Sequence, residues 1–140
     1  MASIFSKIIG GELPGRFVWQ DEHVVAFLTI NPIRPGHTLV VPRQEVDHWI
    51  DMSPELAQRV MEVSRAVGQA IQQAFSPTKV GVSIVGLEVP HTHVHLIPID
   101  GMQDLDFGRA DTNPAPKAMD AAAEAIRTAL RGLGHAEVSG

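Results

Sequence analysis

Cysteine is absent from the 140-residue chain, which excludes disulfides and thiolate metal sites from the outset. Long apolar runs are missing too. None approaches the roughly 20 residues that a transmembrane helix requires, so no membrane span is expected. Met1–Gly10 has neither a basic stretch followed by a long apolar one nor a small-residue cleavage site; no signal peptide is read there, and the cytoplasm is the default location. Every lysine and arginine stands alone in the sequence and the formal net charge is -5, which leaves a nucleic-acid surface little electrostatic support. What remains is an ordinary globular balance, 44% hydrophobic and 19% charged. That length and balance fit one domain with one core over residues 1–140.

Local signals divide the chain. Residues 4–9 (Ile-Phe-Ser-Lys-Ile-Ile) predict a short helix ended by Gly10-Gly11. Arg16–Gln20 and His23–Leu28 are β-rich runs joined by Asp21-Glu22, and His37–Pro42 is a third strand after the breakers Asn31-Pro32 and Pro35-Gly36. Ser53-Pro54 supplies a capping hydroxyl and a first-turn proline. Leu56, Val60, Val63, Val67, Ile71 and Ala74 then form one apolar stripe on a helix running to about Phe75. Val80–Val85 and Pro90–Ile99 read as strands, and Asp100–Pro116 as irregular. Met119, Ala122, Ile126, Leu130 and Leu133 mark a second amphipathic helix, and His135–Gly140 reads as a tail. Strands and helices do not alternate regularly, so the expected class is α+β with an antiparallel sheet of about five strands, one long helix, a short N-terminal helix and an extra C-terminal helix.

The densest chemical signal is Pro90-His91-Thr92-His93-Val94-His95-Leu96-Ile97-Pro98. Side chains alternate along a strand, so His91, His93 and His95 are expected on one face, at Cα spacings of about 7 Å, with Thr92, Val94 and Leu96 on the other. A single strand histidine is usually a surface or satisfied core residue; three in strict alternation ask for a further reason. Two chemistries suit the row. Histidines at i and i+2 can ligate zinc with a third ligand from elsewhere. Alternatively, a neutral imidazole can attack phosphorus while its neighbours fix its tautomer.

The stretch resembles the His-φ-His-φ-His-φ-φ signature of the histidine triad family, with Thr92 at the first φ position. The resemblance continues upstream, in family order. Ile4–Ile9 and Glu12-Leu13-Pro14 are similar to the family's opening. Ala26-Phe27-Leu28, Ile30-Asn31-Pro32 and Pro35–Pro42 are similar to its central loop and strand. Residues 4–99 carry the shared pattern, and 100–140 form a C-terminal extension with a helix near 116–131.

This resemblance implies an enzyme that hydrolyses or transfers nucleoside monophosphates. The middle histidine, here His93, would attack the α-phosphorus of a nucleoside phosphoramidate, adenylylated compound or dinucleoside polyphosphate, and water would cleave the nucleotidyl-histidine. A backbone carbonyl near the first histidine would hold the nucleophile's other nitrogen. His91 and His95 would orient the ring and contact phosphate or leaving-group oxygens, and His37 matches a fourth histidine beside the triad. Ile4, Phe5, Ile8, Phe27 and Ile30 fall where the family lines its nucleotide pocket, although plain core packing would also account for them. The implied partners are a purine nucleotide or nucleotide conjugate and a second copy in a homodimer, with no cofactor, nucleic acid or membrane.

Three positions depart from the family pattern. Thr29 stands where many relatives carry an aspartate for the ribose; a hydroxyl makes one such bond without the charged grip. Gly86-Leu87-Glu88-Val89-Pro90 replaces the Gly-Gln-Ser/Thr that often touches phosphate. It brings in Glu88, which could assist the leaving group, position water, or tie down Pro90 or an imidazole. Ser3 and Ser6 stand where a zinc-bearing subset has two cysteines; hydroxyls are poor zinc ligands and His48 alone would not hold the ion, so no structural zinc is expected. Two further readings remain beside the enzyme: a nucleotide-binding or sensing module with little turnover, motivated by Glu88 and Thr29, and a metal site on the three histidines.

Overall fold

The computed structural model describes residues 2–139. Helix α1 (Ile4–Ile9) is followed by strands β1 (Phe17–Gln20), β2 (Val24–Leu28) and β3 (Thr38–Pro42). The long helix α2 (Pro54–Phe75) leads to β4 (Lys79–Ser83), β5 (Val94–Ile99) and α3 (Pro116–Gly132). The strands form one antiparallel sheet in the order β1-β2-β3-β5-β4. Among the described residues this gives five strands and three α-helices, the α+β arrangement expected from the sequence.

Each element has a local cause. Ser53 Oγ accepts the Leu56 N–H at the start of α2, and Pro54 needs no donor in the first turn. The helix ends at Ser76, whose left-handed φ of 50° turns the chain out of the helix. The predicted stripe is the buried one: Val60, Val63, Val67 and Ile71 pack with Met119, Ala122, Ile126 and Leu130 of α3. Together they cover the sheet face formed by Val24, Ala26, Leu28, Val40, Val94 and Leu96. A smaller cluster lies on the opposite face, where Phe5 and Ile8 of α1 pack on Val25, Phe27, Leu39 and Val41. Because α1 is short, it covers that face only over β2 and β3. His95, paired with Leu39 across β3 and β5, shares that face.

Three sequence expectations change. Pro90–Ile99 is not a strand throughout: β5 begins only at Val94, because the Thr92 N–H goes to the Val46 carbonyl and Pro90 has no N–H to pair. The predicted Val80–Val85 strand is shifted to Lys79–Ser83, which is where its pairing with β5 runs. The predicted tail is docked. Val138 bridges to Trp19, the Gln20 N–H reaches the Glu137 carbonyl, and His135 packs edge-to-face on Trp19. The C-terminal residues thereby cover the outer edge of β1, whereas β4 keeps a free edge among the described residues.

Asp21 ties the β1–β2 hairpin to α2. One carboxylate oxygen accepts the N–H groups of His23 and Val24, and the other accepts Trp19 Nε1–H and the Arg59 guanidinium, each at 2.8 Å. Burial pushes its pKa up, but these four donors outweigh burial and hold it below the usual aspartate value. Asp21→Ala should cost about 2–3 kcal/mol in urea unfolding at pH 7, the scale of a charge-assisted hydrogen-bond cluster with a buried donor left over. A lowered carboxylate pKa supports stability above the unfolded value of 3.8 and loses that contribution as pH falls through the folded one. The difference between wild type and Asp21→Ala should therefore narrow below about pH 4.

Candidate active site

His91 is fully buried, and both of its ring nitrogens are engaged. Nε2 donates to the Pro42 carbonyl at the end of β3, at 2.7 Å. A carbonyl only accepts, so this contact places a proton on Nε2, and the neutral ring then offers Nδ1 as acceptor to the Ser3 hydroxyl, also at 2.7 Å. The backbone carbonyl of His91 in turn accepts His93 Nδ1–H at 2.7 Å. With its proton held on Nδ1, neutral His93 has an unprotonated Nε2.

His37 and His95 form a second tautomer chain. His37 Nδ1 accepts the Ile33 N–H at 3.1 Å, so its proton sits on Nε2, which donates to His95 Nδ1 at 2.9 Å. Neutral His95 consequently carries its own proton on Nε2. The loop that presents His37 depends on Gly36, which has φ 95° and lies against the Phe75 ring, where an added Cβ would fall 2.6 Å from a ring carbon.

Burial keeps these rings neutral. Desolvation lowers the His37 pKa to about 3, aided by repulsion from His95 and His93. Desolvation and repulsion from His93 lower that of His95 to about 4. His93 is also lowered, by burial and by repulsion from His91, against the opposing pull of the His91 carbonyl. At neutral pH the cluster thus contains a bare imidazole nitrogen on His93 beside an imidazole N–H on His95, with ring centroids 4.9 Å apart.

A row of edge-to-face rings supports the pair. Phe17 packs on Phe27, Phe27 on Phe5, and Phe5 on His93 with centroids 4.7 Å apart. On the other side Phe107 packs on His95 at 4.7 Å and lies 6.3 Å from His37. Contacts of this geometry contribute roughly 0.5–1.5 kcal/mol each beyond simple burial.

The model of the HIT domain matches residues 10–102, well over half of the sequence and including all four histidines. The chain belongs to the histidine triad (HIT) family. An uncharacterized HIT-like protein of Borreliella burgdorferi is 39% identical over 102 residues, covering 68% of this chain and 73% of that one. The asymmetrical bis(5'-nucleosyl)-tetraphosphatase of Schizosaccharomyces pombe is 37% identical over 91 residues, covering 61% of this chain and 48% of that enzyme. The crystal structure of a Hit-like protein from Bartonella henselae, described as involved in cell-cycle regulation and holding an unknown ligand, superimposes with a TM-score of 0.78. It is 29% identical and covers 91% of this chain and 95% of that one.

Within this HIT framework the sequence-derived candidates separate. His37, His93, His95 and Phe5 come together as described. Phe27 and Ile8 are buried in the cluster behind Phe5, so their part is to seat that ring. Ile4 and Ile30 are exposed, at 45% and 65%. The Thr29 hydroxyl accepts the Asn31 N–H at 3.3 Å and helps shape its own loop. Glu88 is exposed and has no hydrogen bond or ion pair among the described residues, so the reading in which it ties down Pro90 or an imidazole is not met. The expected contact of His91 with phosphate is not met either: a ring with no exposure and both nitrogens bonded has nothing to offer a ligand, and its carbonyl is the contributing group. Ser3 and Ser6 are joined to Glu45, while His48 is exposed at the start of a 3-10 turn, Trp49–Asp51. Among the described residues no three His, Asp or Glu side chains gather as metal ligands.

Two residues that adjoin this cluster escaped sequence reasoning: Glu45, bonded to the Ser3 that holds His91, and Phe107, packed on His95. Phe107 sits on a 3-10 turn of the extension, where nothing in the local sequence marks it. It is held there by long-range contacts. Arg34 bridges Asp104 at 2.7 Å and Asp100 at 3.0 Å, and the Asp111 N–H reaches the Pro32 carbonyl.

The histidine pKa values give a direct check. The ring protons of His37 and His95 should keep constant NMR shifts from pH 8 to about 5; midpoints near 6.5 would contradict the packing described. Because the unfolded chain takes up protons that the folded cluster refuses, these two residues should lower stability progressively as pH falls below 6.5. Phe107→Ala should reduce kcat several-fold and lower Tm by about 3–10 °C, the scale of two lost edge-to-face contacts worth about 1–3 kcal/mol together. A kinetic and calorimetric comparison with wild type decides that point.

Proposed function

We propose that this protein is a nucleotidyl hydrolase or transferase acting through His93. Its substrate class is a nucleoside phosphoramidate, an adenylylated compound or a dinucleoside polyphosphate. One observation carries the reading: His93 Nδ1–H is pinned to the His91 carbonyl, which leaves a neutral, desolvated Nε2 lone pair next to the His95 N–H. In the proposed first step Nε2 attacks the α-phosphorus, the bond to the leaving group breaks, and a nucleotidyl-histidine forms. The His95 Nε2–H hydrogen-bonds a phosphoryl or leaving-group oxygen, while His37 holds that tautomer from behind. Water then attacks the same phosphorus and releases a proton to solvent, the P–N bond breaks with its electron pair returning to His93 Nε2, and a nucleoside monophosphate leaves. The activity named for the S. pombe relative agrees with this chemistry.

In this reading residues 4–99 are the catalytic core and the 100–140 extension adds Phe107 to it. A purine nucleoside would lie towards Phe5 and the exposed Ile4 and Ile30. The second copy of a homodimer would add to the free edge of β4, where Val82 is 53% exposed, since the β1 edge is already closed by Val138.

His93→Ala should lower turnover of an adenosine phosphoramidate by roughly a thousandfold or more, as for loss of any covalent nucleophile, and leave binding of the nucleoside monophosphate intact. Steady-state kinetics beside calorimetric titration test this. Normal turnover in the variant would remove the assignment, and tight binding by a wild-type protein without product release would favour a sensing module instead.

A further inference from the structure

Glu45 lies outside the triad, in the segment after β3, yet it is bonded to the segment that holds His91. Its Oε1 accepts both the Ser3 N–H and, at 2.8 Å, the Ser6 hydroxyl. Ser3 is the N-cap of α1, and its Oγ accepts the Ser6 N–H at 3.0 Å. The single Ser3 hydroxyl proton then has two possible acceptors: His91 Nδ1 at 2.7 Å and Ser6 Oγ at 3.3 Å. The 2.7 Å contact takes the proton, and Ser6, whose own proton goes to Glu45, does not compete as a hydroxyl donor to Ser3 Oγ.

We propose that Glu45 is a positioning residue for the nucleophile, acting through Ser3 and His91. The carboxylate orients Ser3 as a donor to His91 Nδ1. That donor, with the Pro42 carbonyl opposite, holds His91 as the Nε2–H tautomer and fixes where its backbone carbonyl points. The carbonyl receives His93 Nδ1–H. By anchoring the first turn of α1, the same carboxylate also supports the segment from which Phe5, seated by Phe27 and Ile8, meets the His93 ring. The Ser3 N–H and the Ser6 hydroxyl both favour the ionised form of Glu45, holding its carboxyl below the usual glutamate value.

The role rests on the proposed nucleophile, so the test reads the ring as well as the rate. Glu45→Ala, Glu45→Gln and Ser3→Ala would be compared with wild type by ¹H–¹⁵N spectra of the histidine rings and by single-turnover reaction with an adenosine phosphoramidate. Glu45→Ala and Ser3→Ala should each let His93 mix its two neutral tautomers and slow the chemical step roughly ten- to hundredfold, the scale of a misplaced reacting group. Nucleoside monophosphate affinity should stay within about twofold. Glu45→Gln keeps an oxygen acceptor for both serine donors and should restore most of the rate and the Nδ1–H signal. Wild-type tautomer and rate in Glu45→Ala would overturn the proposal, as would an equal loss in Glu45→Gln with unchanged His93 signals. If His93→Ala kept full turnover, the assigned reaction would fail while the ring spectra still reported whether Glu45 positions His93.

Discussion

The hydrogen bond from His93 Nδ1 to the carbonyl of His91 is the constraint on which the rest of the site depends. It spans two residues and 2.7 Å, and it decides which nitrogen of His93 is bare. An imidazole in water exchanges freely between two neutral tautomers and a cation; here burial disfavours the cation and the carbonyl selects one tautomer. The fold fixes the carbonyl in turn. His91 is gripped on both sides of its ring, by Ser3 at the start of α1 and by Pro42 at the end of β3, so two distant segments meet on one buried side chain.

The architecture explains why this place is available. Helices α2 and α3 cover one face of the sheet, and α1 covers the other only over β2 and β3. The remainder of that face is where β5 presents His95 and where the segment before it presents His93. Two phenylalanines from opposite ends of the chain flank the pair, Phe5 from α1 and Phe107 from the extension. The long-range tether of Arg34 to Asp100 and Asp104 links the extension to the loop that carries His37, so His37 and Phe107 are held by one structure.

The helices, the sheet class and the row of three histidines were legible because their signals are local: a stripe with steps of three and four, a Ser-Pro start, alternation around His93; His37 came only from the resemblance to the family's fourth histidine. Sequence reasoning misplaced features that depend on tertiary partners. The strand at the triad starts at Val94 rather than Pro90 because Thr92 bonds to Val46, 46 residues away. His91 carries the same spacing signal as its neighbours, yet its ring is spent on Ser3 and Pro42. Glu45 and Phe107 were invisible for the same reason: an isolated carboxylate after a strand and an aromatic in an Asp/Gly-rich stretch carry no pattern until folding brings them to α1 and His95. The last residues read as a tail because six residues without periodicity cannot announce a single bridge to Trp19.

The proposed attack of His93 Nε2 on phosphorus is the step on which the function rests. It is tested most directly by stopping the reaction of wild-type protein with a radiolabelled adenosine phosphoramidate within one turnover, in alkaline denaturant that preserves phosphohistidine-type bonds. Peptide mapping then locates the label. Transient labelling is expected on the peptide containing residue 93, at the histidine two residues before His95, and no label on His37, His91 or His95. Label on another histidine, or turnover without any trapped adduct, would contradict the proposed attack.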